Sequence, residues 1–456
     1  MNLKEKNVLV FGLGISGEAA AGLLLREGAS VTVYDGNEKL DAEKTAEKIL
    51  AGLNGEGKDR LKIVLGAFTD ELIEGIDLTV MSPGVPTDLP AVDKMREKNI
   101  PIWGEIELAW STGKGEVLAI TGTNGKTTTT ALLGEIMKNA RESVFVVGNI
   151  GIPYTGVAKE TREDSVIVAE MSSFQLETIH TFCPKVSAIL NITPDHLNRH
   201  HTMEAYIEAK ERIAMNQGKE EVCVLNYEDE VLRAFGEKTK AQVLYFSSRR
   251  KLNRGLYLED GAIVCDLGEK ITVCRTEELN ILGTHNHENV MAAVGMAYSY
   301  GVPMDIIRKT LREFRGVEHR IEFVAEKNGI AYYNDSKGTN PDAAIKGIQA
   351  MNRPTVLIGG GYDKDSAYDE WIEAFDGKVK KLVLLGATRE KIAETARRHG
   401  FSEIVMADTF EEAFEKCVEY AAPGDAVLLS PACASWGMFK NYEERGDKFK
   451  ELVNQL

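Results

Sequence analysis

Short, mostly apolar runs recur along the chain at residues 8–11, 30–34, 78–81, 117–120, 166–169, 186–190, 355–358, 381–385 and 426–429. They read as strands, and runs without apolar–polar alternation, such as 166–169, read as strands buried on both faces, as in a parallel sheet. Each run ends in a glycine-rich or polar segment. Several are followed by helical spacing, as with Leu132, Leu133, Ile136 and Met137. Strand, loop and helix in repetition predict an α/β fold with mostly parallel sheets. The chain has 456 residues, too long for one ordinary core. The runs fall into three units, residues 1–107, 108–315 and 316–456. The first and third read as Rossmann-like, the central one as a P-loop-type nucleotide domain.

The sharpest chemistry follows the run 117–120. Gly122-Thr123-Asn124-Gly125-Lys126-Thr127-Thr128 joins a strand to a helix. Backbone N–H groups of such a loop, with the helix N-terminus, can surround phosphate oxygens. Lys126 can neutralise β/γ-phosphates, and the Thr127 hydroxyl can ligate Mg²⁺. The spacing is shorter than G-x-x-x-x-G-K-[ST], since Ile120 stands where that pattern has glycine. A plain glycine turn explains the glycines, but not Lys126 and Thr127 together with them. ATP is the expected substrate.

In the first unit, Gly12-Leu13-Gly14-Ile15-Ser16-Gly17 follows a strand and opens a helix, and a second strand ends at Asp35-Gly36. Alone this fingerprint suggests a dinucleotide, but the same loop binds any pyrophosphate, that of a UDP-sugar included. Gly14, Ile15, Ser16, Gly17, Asp35 and Gly36 are candidate contacts. Ser82-Pro83-Gly84, a turn at a strand's C-terminal end, joins them, because ligands gather at such ends.

Further candidates also lie at strand ends. Glu170 ends the run 166–169, and His196 closes Asn191-Ile192-Thr193-Pro194-Asp195-His196 after the run 186–190. Both can ligate a metal beside the phosphate loop; the plainer readings are a helix-capping carboxylate and a surface histidine. Lys210 lies on a helix-like segment, where a lysine is ordinarily solvated. Asn286 and Asn289 are three apart near a helix start and can read an adenine edge, although Asn286 also suits an N-cap. The polar string Asn334-Asp335-Ser336-Lys337-Gly338-Thr339-Asn340 has no periodicity and reads as a functional loop. Arg320 precedes it and suits a phosphate. Lys364, Ser435 and Tyr442 sit in further polar loops of the third unit.

Composition removes some alternatives. A net charge of −16 disfavours nucleic acid and anionic membranes as partners. It leaves room for small anions, because local cations act within a Debye length of roughly 8 Å. No run of about 18 apolar residues exists, so no membrane insertion is expected, and the first residues do not resemble a signal peptide. The six cysteines form no C-x-x-C and read as reduced thiols of a cytoplasmic protein rather than a zinc site.

Taken together, residues 12–17, 82–84, 122–128, Gly148-Asn149-Ile150-Gly151, 170–176, 191–196, Lys210, 334–340 and 429–442 resemble the Mur ligase family over essentially the whole chain. The N-terminal glycine loop and the C-terminal strings resemble its D-glutamate-adding branch. Gly437 is a departure, at a position where an acidic residue is expected. The resemblance implies an ATP-dependent ligase of peptidoglycan precursor synthesis. It would add D-glutamate to UDP-N-acetylmuramoyl-L-alanine through an acyl phosphate. It implies UDP contacts at the first-unit residues and Asn149, with Asn149 also assisting phosphoryl transfer. It implies ATP contacts at 122–128, Asn286, Asn289, Arg320 and Asp335. Two Mg²⁺ would be held by Thr127, Glu170, His196 and a carbamylated Lys210. D-Glutamate would meet Lys337, Thr339, Lys364, Ser435 and Tyr442. A monomer is expected. The alternatives are another amide ligase (a folylpolyglutamate synthase or a Mur ligase for a different amino acid), a dinucleotide-dependent oxidoreductase built on the loop 12–17, and a non-catalytic nucleotide switch.

Overall fold

The computed structural model describes residues 2–53 and 57–456. It contains two compact units, Met1–Cys274 with Glu288–Thr310, and Arg275–His287 with Leu311–Leu456. Among the described residues, no helix is long and apolar enough to cross a membrane.

The first unit carries two sheets. One is formed by β1 (Asn7–Phe11), β2 (Ser30–Asp35), β3 (Leu61–Leu65), β4 (Leu78–Met81) and β5 (Ile102–Gly104) in the order β3-β2-β1-β4-β5, every pair parallel. The chain leaves β1 to either side, so a crevice opens at the C-terminal ends of β1 and β4. Residues 12–17 and 82–84 emerge there. A Cβ at Gly17 would lie 1.9 Å from the Gly12 carbonyl oxygen. Only glycine lets the helix Ile15–Arg26 start so close to the strand end.

The other sheet contains β6 (Glu116–Thr121), β7 (Val144–Gly148), β8 (Val166–Glu170), β9 (Val186–Ile189), β10 (Val222–Asn226), β11 (Gln242–Ser247), β12 (Gly255–Glu259), β13 (Ala262–Asp266) and β14 (Lys270–Arg275). Their order is β14-β13-β12-β11-β10-β9-β6-β8-β7. The strands from β6 to β12 pair in parallel, while β12–β13 is an antiparallel hairpin. β6 is fully apolar and buried from Val117 to Ile120, as befits a strand paired on both sides, with β9 and β8. Its neighbours β8 and β9 deliver their C-terminal ends to the same edge. The helix Lys126–Ala140 follows β6 and buries Leu132, Leu133, Ile136 and Met137, the four positions its spacing predicts.

The second unit holds β15 (Glu322–Lys327), β16 (Ile330–Asn334), β17 (Thr355–Gly359), β18 (Val379–Leu384), β19 (Ile404–Met406) and β20 (Ala426–Leu429), ordered β15-β16-β20-β17-β18-β19. β15–β16 is antiparallel and the other pairs are parallel. The loops after β16, β17 and β20 share one edge; they contain Lys337, Thr339, Lys364 and Ser435, and Tyr442 opens the helix Tyr442–Asn454 that follows the last of them.

Candidate active site

The glycine loop after β6 is an open cradle. Gly122 and Gly125 take φ of +151° and +84°, and a Cβ at Gly125 would meet Asn289 Oδ1 at 2.2 Å. Lys126 Nζ folds back to donate to the carbonyls of Gly122 (2.8 Å) and Thr123 (2.9 Å), which holds an ammonium over the loop. The segment after β9 is laced to it. Asn191 Oδ1 accepts from Asn124 N at 2.8 Å, and Thr123 N donates to Asn191 O at 2.9 Å. Thr123 Oγ1 accepts from Thr193 N at 3.0 Å and lies 3.1 Å from the Tyr206 hydroxyl.

Glu170 ends β8 and is 1 % exposed. Its Oε1 accepts from Asn149 Nδ2 at 2.7 Å, while its Oε2 is sealed from solvent with no partner. A buried anionic oxygen without a partner is costly, and a hard divalent cation is what such an oxygen suits. The half-buried Thr127 opens the helix beside it, so hydroxyl and carboxylate could hold Mg²⁺ together. His196 differs. Its side chain is about half exposed, 3.5 Å from Asp195 and 5.0 Å from the Phe174 ring, with backbone φ +51°. It stands at the rim of the same edge.

Lys210 is not the solvated lysine that a helical position suggests. It is 2 % exposed, donates to Gly122 O at 2.8 Å and lies 4.7 Å from the centre of the Tyr206 ring. Burial, reinforced by the nearby Lys126 charge, lowers its pKa to about 7, so a large fraction is neutral amine near neutral pH. Tyr206 was not among the sequence candidates. Its position four residues before Lys210, on the same helix face, is the signal that marks it.

In the crevice of the first sheet, Ser82 Oγ donates to Gly12 O at 2.8 Å. Asp35 accepts from Leu13 N (2.7 Å) and Asn37 N (2.9 Å) through different oxygens. It therefore braces the glycine loop from within. Ile15, at the helix start, is 77 % exposed, unusual for an isoleucine and suited to covering a ligand. Gly14 has nothing within 4 Å of its Cβ position. Gly36 and Gly84 are exposed and Pro83 is half-buried.

In the second unit, Asp335 is 4 % exposed. Its Oδ2 accepts from Ser430 Oγ at 2.6 Å and its Oδ1 from Ile321 N at 3.2 Å. Burial pushes its pKa up to about 7, and both oxygens serve to anchor the loop. Arg445, 1 % exposed, binds Ser336 Oγ, Ser336 O and Cys433 O. It braces the loops after β16 and β20 together; a lone arginine in a helix gave no sequence signal for this. Lys337 Nζ sits 5.5 Å from the Tyr442 ring centre and Lys364 Nζ 5.1 Å from that of Trp436. Ser435 is buried, Thr339 half-buried and Arg320 exposed. Gly437 has φ +88°, a conformation in which an acidic side chain would be strained. The helix Thr284–Ser299 carries Asn286 inside its first turn, so Asn286 is not an N-cap. It donates to Leu282 O at 2.7 Å.

Residues 6–104 match the Mur ligase MurD-like N-terminal domain, 120–297 the Mur ligase middle domain, and 319–433 the Mur ligase glutamate ligase domain. The chain belongs to the Mur ligase family. It is a ligase. A UDP-N-acetylmuramoylalanine–D-glutamate ligase of Lachnoclostridium phytofermentans is 58 % identical over 100 % of this chain and 99 % of its own. That of Lachnospira eligens is 55 % identical over both full lengths, and that of Clostridioides difficile 47 %. Among solved Mur ligase structures, MurC of Thermotoga maritima aligns with a TM-score of 0.58 at 21 % identity, covering 99 % of each chain. MurF of Thermotoga maritima, in complex with ADP, aligns at 0.57 and 18 %, covering 99 % of this chain and 96 % of that one. These likenesses support the α/β fold of a Mur ligase with its three sheets.

Proposed function

We propose that the chain uses ATP to join D-glutamate to the alanyl carboxylate of UDP-N-acetylmuramoyl-L-alanine, a cytoplasmic step of peptidoglycan precursor synthesis carried out by a monomer. The full-length identity to ligases of that name carries the choice of amino acid. Residues 1–107, 108–315 and 316–456 would hold the UDP moiety, ATP and D-glutamate respectively. The ends of the first sheet at Gly104 and the start of the third at Glu322 support these boundaries.

A free carboxylate is a poor electrophile, and phosphorylation supplies it with a leaving group. The alanyl carboxylate oxygen attacks the γ-phosphorus of ATP, the bond to the β–γ bridging oxygen breaks, and ADP leaves an acyl phosphate. The unprotonated amine of D-glutamate attacks the acyl carbon. The tetrahedral adduct loses an amine proton and expels phosphate, leaving an amide. Lys126 and the loop N–H groups hold the transferring phosphoryl oxygens and offset their charge. Asn149 orients Glu170 through its hydrogen bond to Oε1 and would assist the phosphoryl region.

Thr127 and Glu170 would hold one Mg²⁺, and His196 with a carbamylated Lys210 a second; bound Mg²⁺ supplies charge neutralisation at the phosphate oxygens. The neutral Lys210 amine adds to the carbon of CO₂ with release of a proton, turning a buried cation into a carboxylate-like anion. Lys337, Thr339, Lys364, Ser435 and Tyr442 would surround D-glutamate, with the ammonium groups meeting its carboxylates. Arg320, Asp335, Asn286 and Asn289 complete the proposed ATP contacts. The 12–17 crevice, with Ser82, Pro83 and Gly84, would take the UDP pyrophosphate.

The test is phosphate release from ATP in the presence of UDP-N-acetylmuramoyl-L-alanine, with D-glutamate, L-glutamate, L-lysine and meso-diaminopimelate in turn. Release with D-glutamate alone, with the matching mass gain in the nucleotide product, is the expected result. Release with another of the four moves the chain to a sister specificity, and release with none overturns the reading.

A further inference from the structure

Beside the apolar core that the two sheets of the first unit share, a polar network joins their loop ends, and none of the candidate contacts above includes it. Arg199 follows His196 by three residues, and its side chain is 11 % exposed. Its guanidinium donates to Val85 O at 3.0 Å and to Glu177 Oε2 at 2.8 Å, and its carbon centre lies 5.0 Å from the Phe174 ring centre. Glu177 Oε2 also accepts from Thr87 Oγ1 at 3.2 Å. Glu177 Oε1 lies 3.3 Å from His200 Nδ1, whose Nε2 is 2.9 Å from Ser173 Oγ. Serine, histidine and glutamate in a row resemble a hydrolytic triad. Here His200 is 6 % and Ser173 3 % exposed, and the row ends on the Arg199 ion pair, so it serves as a brace. At the outer edge His201 meets Asp88 at 2.9 Å.

The segments joined are those that carry the chemistry. Val85 and Thr87 continue the turn Ser82-Pro83-Gly84 after β4. Ser173, Phe174 and Glu177 follow Glu170 after β8, and Arg199 follows His196 after β9. A cleft of about 500 Å³, lined by Asp88, Glu177, His201 and Arg212 among others, separates the sheets beside the network. The polar tie fixes the loop ends beyond the reach of the shared apolar core.

We propose that Arg199, paired with Glu177, is a positioning residue. It sets the span between the turn that takes the UDP pyrophosphate and the carboxylate edge where phosphoryl transfer occurs. A substrate anchored at one end reaches the reacting phosphorus only if that span is held, and misplacement by about 1 Å costs on the order of a hundredfold in rate. The proposal rests on the ligase reading given above.

Arg199→Met keeps the apolar stem over Phe174 and removes both hydrogen bonds; Arg199→Lys keeps one donor. Two readouts apply. Hydrogen exchange at residues 82–88 is expected to quicken about fivefold or more in Arg199→Met, less in Arg199→Lys, with 122–128 unchanged. The KM for UDP-N-acetylmuramoyl-L-alanine is expected to rise about tenfold and kcat to fall, while the dissociation constant of ADP and the KM for D-glutamate stay within about twofold. Unchanged exchange at 82–88, or an equal rise in all three substrate constants, overturns the proposal. If the wild-type chain releases no phosphate the ligase reading falls, and the exchange result still decides the tie. If Arg199→Met does not fold, Thr87→Ala, which removes one hydroxyl bond to Glu177, decides it by the same exchange measurement, with quickening confined to 82–88 as the supporting result.

Discussion

Asn149 Nδ2 donates to Glu170 Oε1 at 2.7 Å and leaves Glu170 Oε2 buried with no partner. One oxygen is oriented by the protein and the other is left for something the protein does not supply. Glu170→Gln removes an uncompensated buried anion, so the metal-free variant should gain about 1 kcal/mol of stability while losing ligase activity. Thermal unfolding in EDTA and phosphate release check the two halves. A variant that is both less stable and active refutes the metal-site reading. Asn149→Ala should keep the fold and raise the Mg²⁺ concentration needed for half-maximal rate.

Lys126 is held over the loop by two carbonyls, which are weak partners compared with a triphosphate. Lys126→Ala should lower kcat for ATP turnover by about a thousandfold or more with an unchanged circular dichroism spectrum. Near-normal turnover sinks the phosphate-loop assignment.

Lys210 is buried against Gly122 O and its amine titrates at about 7. ¹³C-bicarbonate should give a carbamate carbon signal in the wild type that Lys210→Ala lacks. The variant should be inactive and partly restored by added short carboxylic acids, which can occupy the vacated space as anions. An alanine variant as active as wild type excludes the carbamate.

Asp335 in the second unit gives a pH prediction. Its pKa is raised from 3.8 to about 7 by burial, so the folded state holds a proton that the unfolded state has released. Its contribution is fully present below about pH 4 and is lost as pH rises through 7. At about 1.36 kcal/mol per pH unit, the loss has an upper value on the order of 4 kcal/mol. Asp335→Asn keeps a neutral side chain of the same shape, so unfolding midpoints should fall less steeply between pH 4 and 7 than in the wild type. Parallel curves refute this.

The alternation of buried strand, loop and helix was legible because parallel strands are apolar on both faces and their loops need particular residues. Residues 12–17 and 122–128 announce themselves through glycines, of which Gly12, Gly17, Gly122 and Gly125 stand at dihedrals or distances that a side chain would not tolerate. The antiparallel hairpins β12–β13 and β15–β16 were not read from the chain, although Ala262–Cys265 and Ile330–Tyr333 are apolar and buried, because their antiparallel pairing is set by tertiary packing rather than by local pattern. Of the candidate site residues, Glu170 stands out from position alone at the end of an unmistakable strand, and Lys126 at the helix start that follows one.

By itself the sequence determined the α/β class, the phosphate loop and the strand ends on which the chemistry is carried, because these depend on local pattern and local backbone geometry. Tertiary structure alone decided which side chains are deprived of water. The helix that carries Lys210 packs it under Gly122 and turns an ordinary lysine into a half-neutral amine. Asn149 takes one oxygen of Glu170 and seals the other. Arg199 and Arg445 become braces because distant loops arrive around them. Burial and pairing across such sequence separations depend on how elements pack, and no periodicity along the chain encodes them.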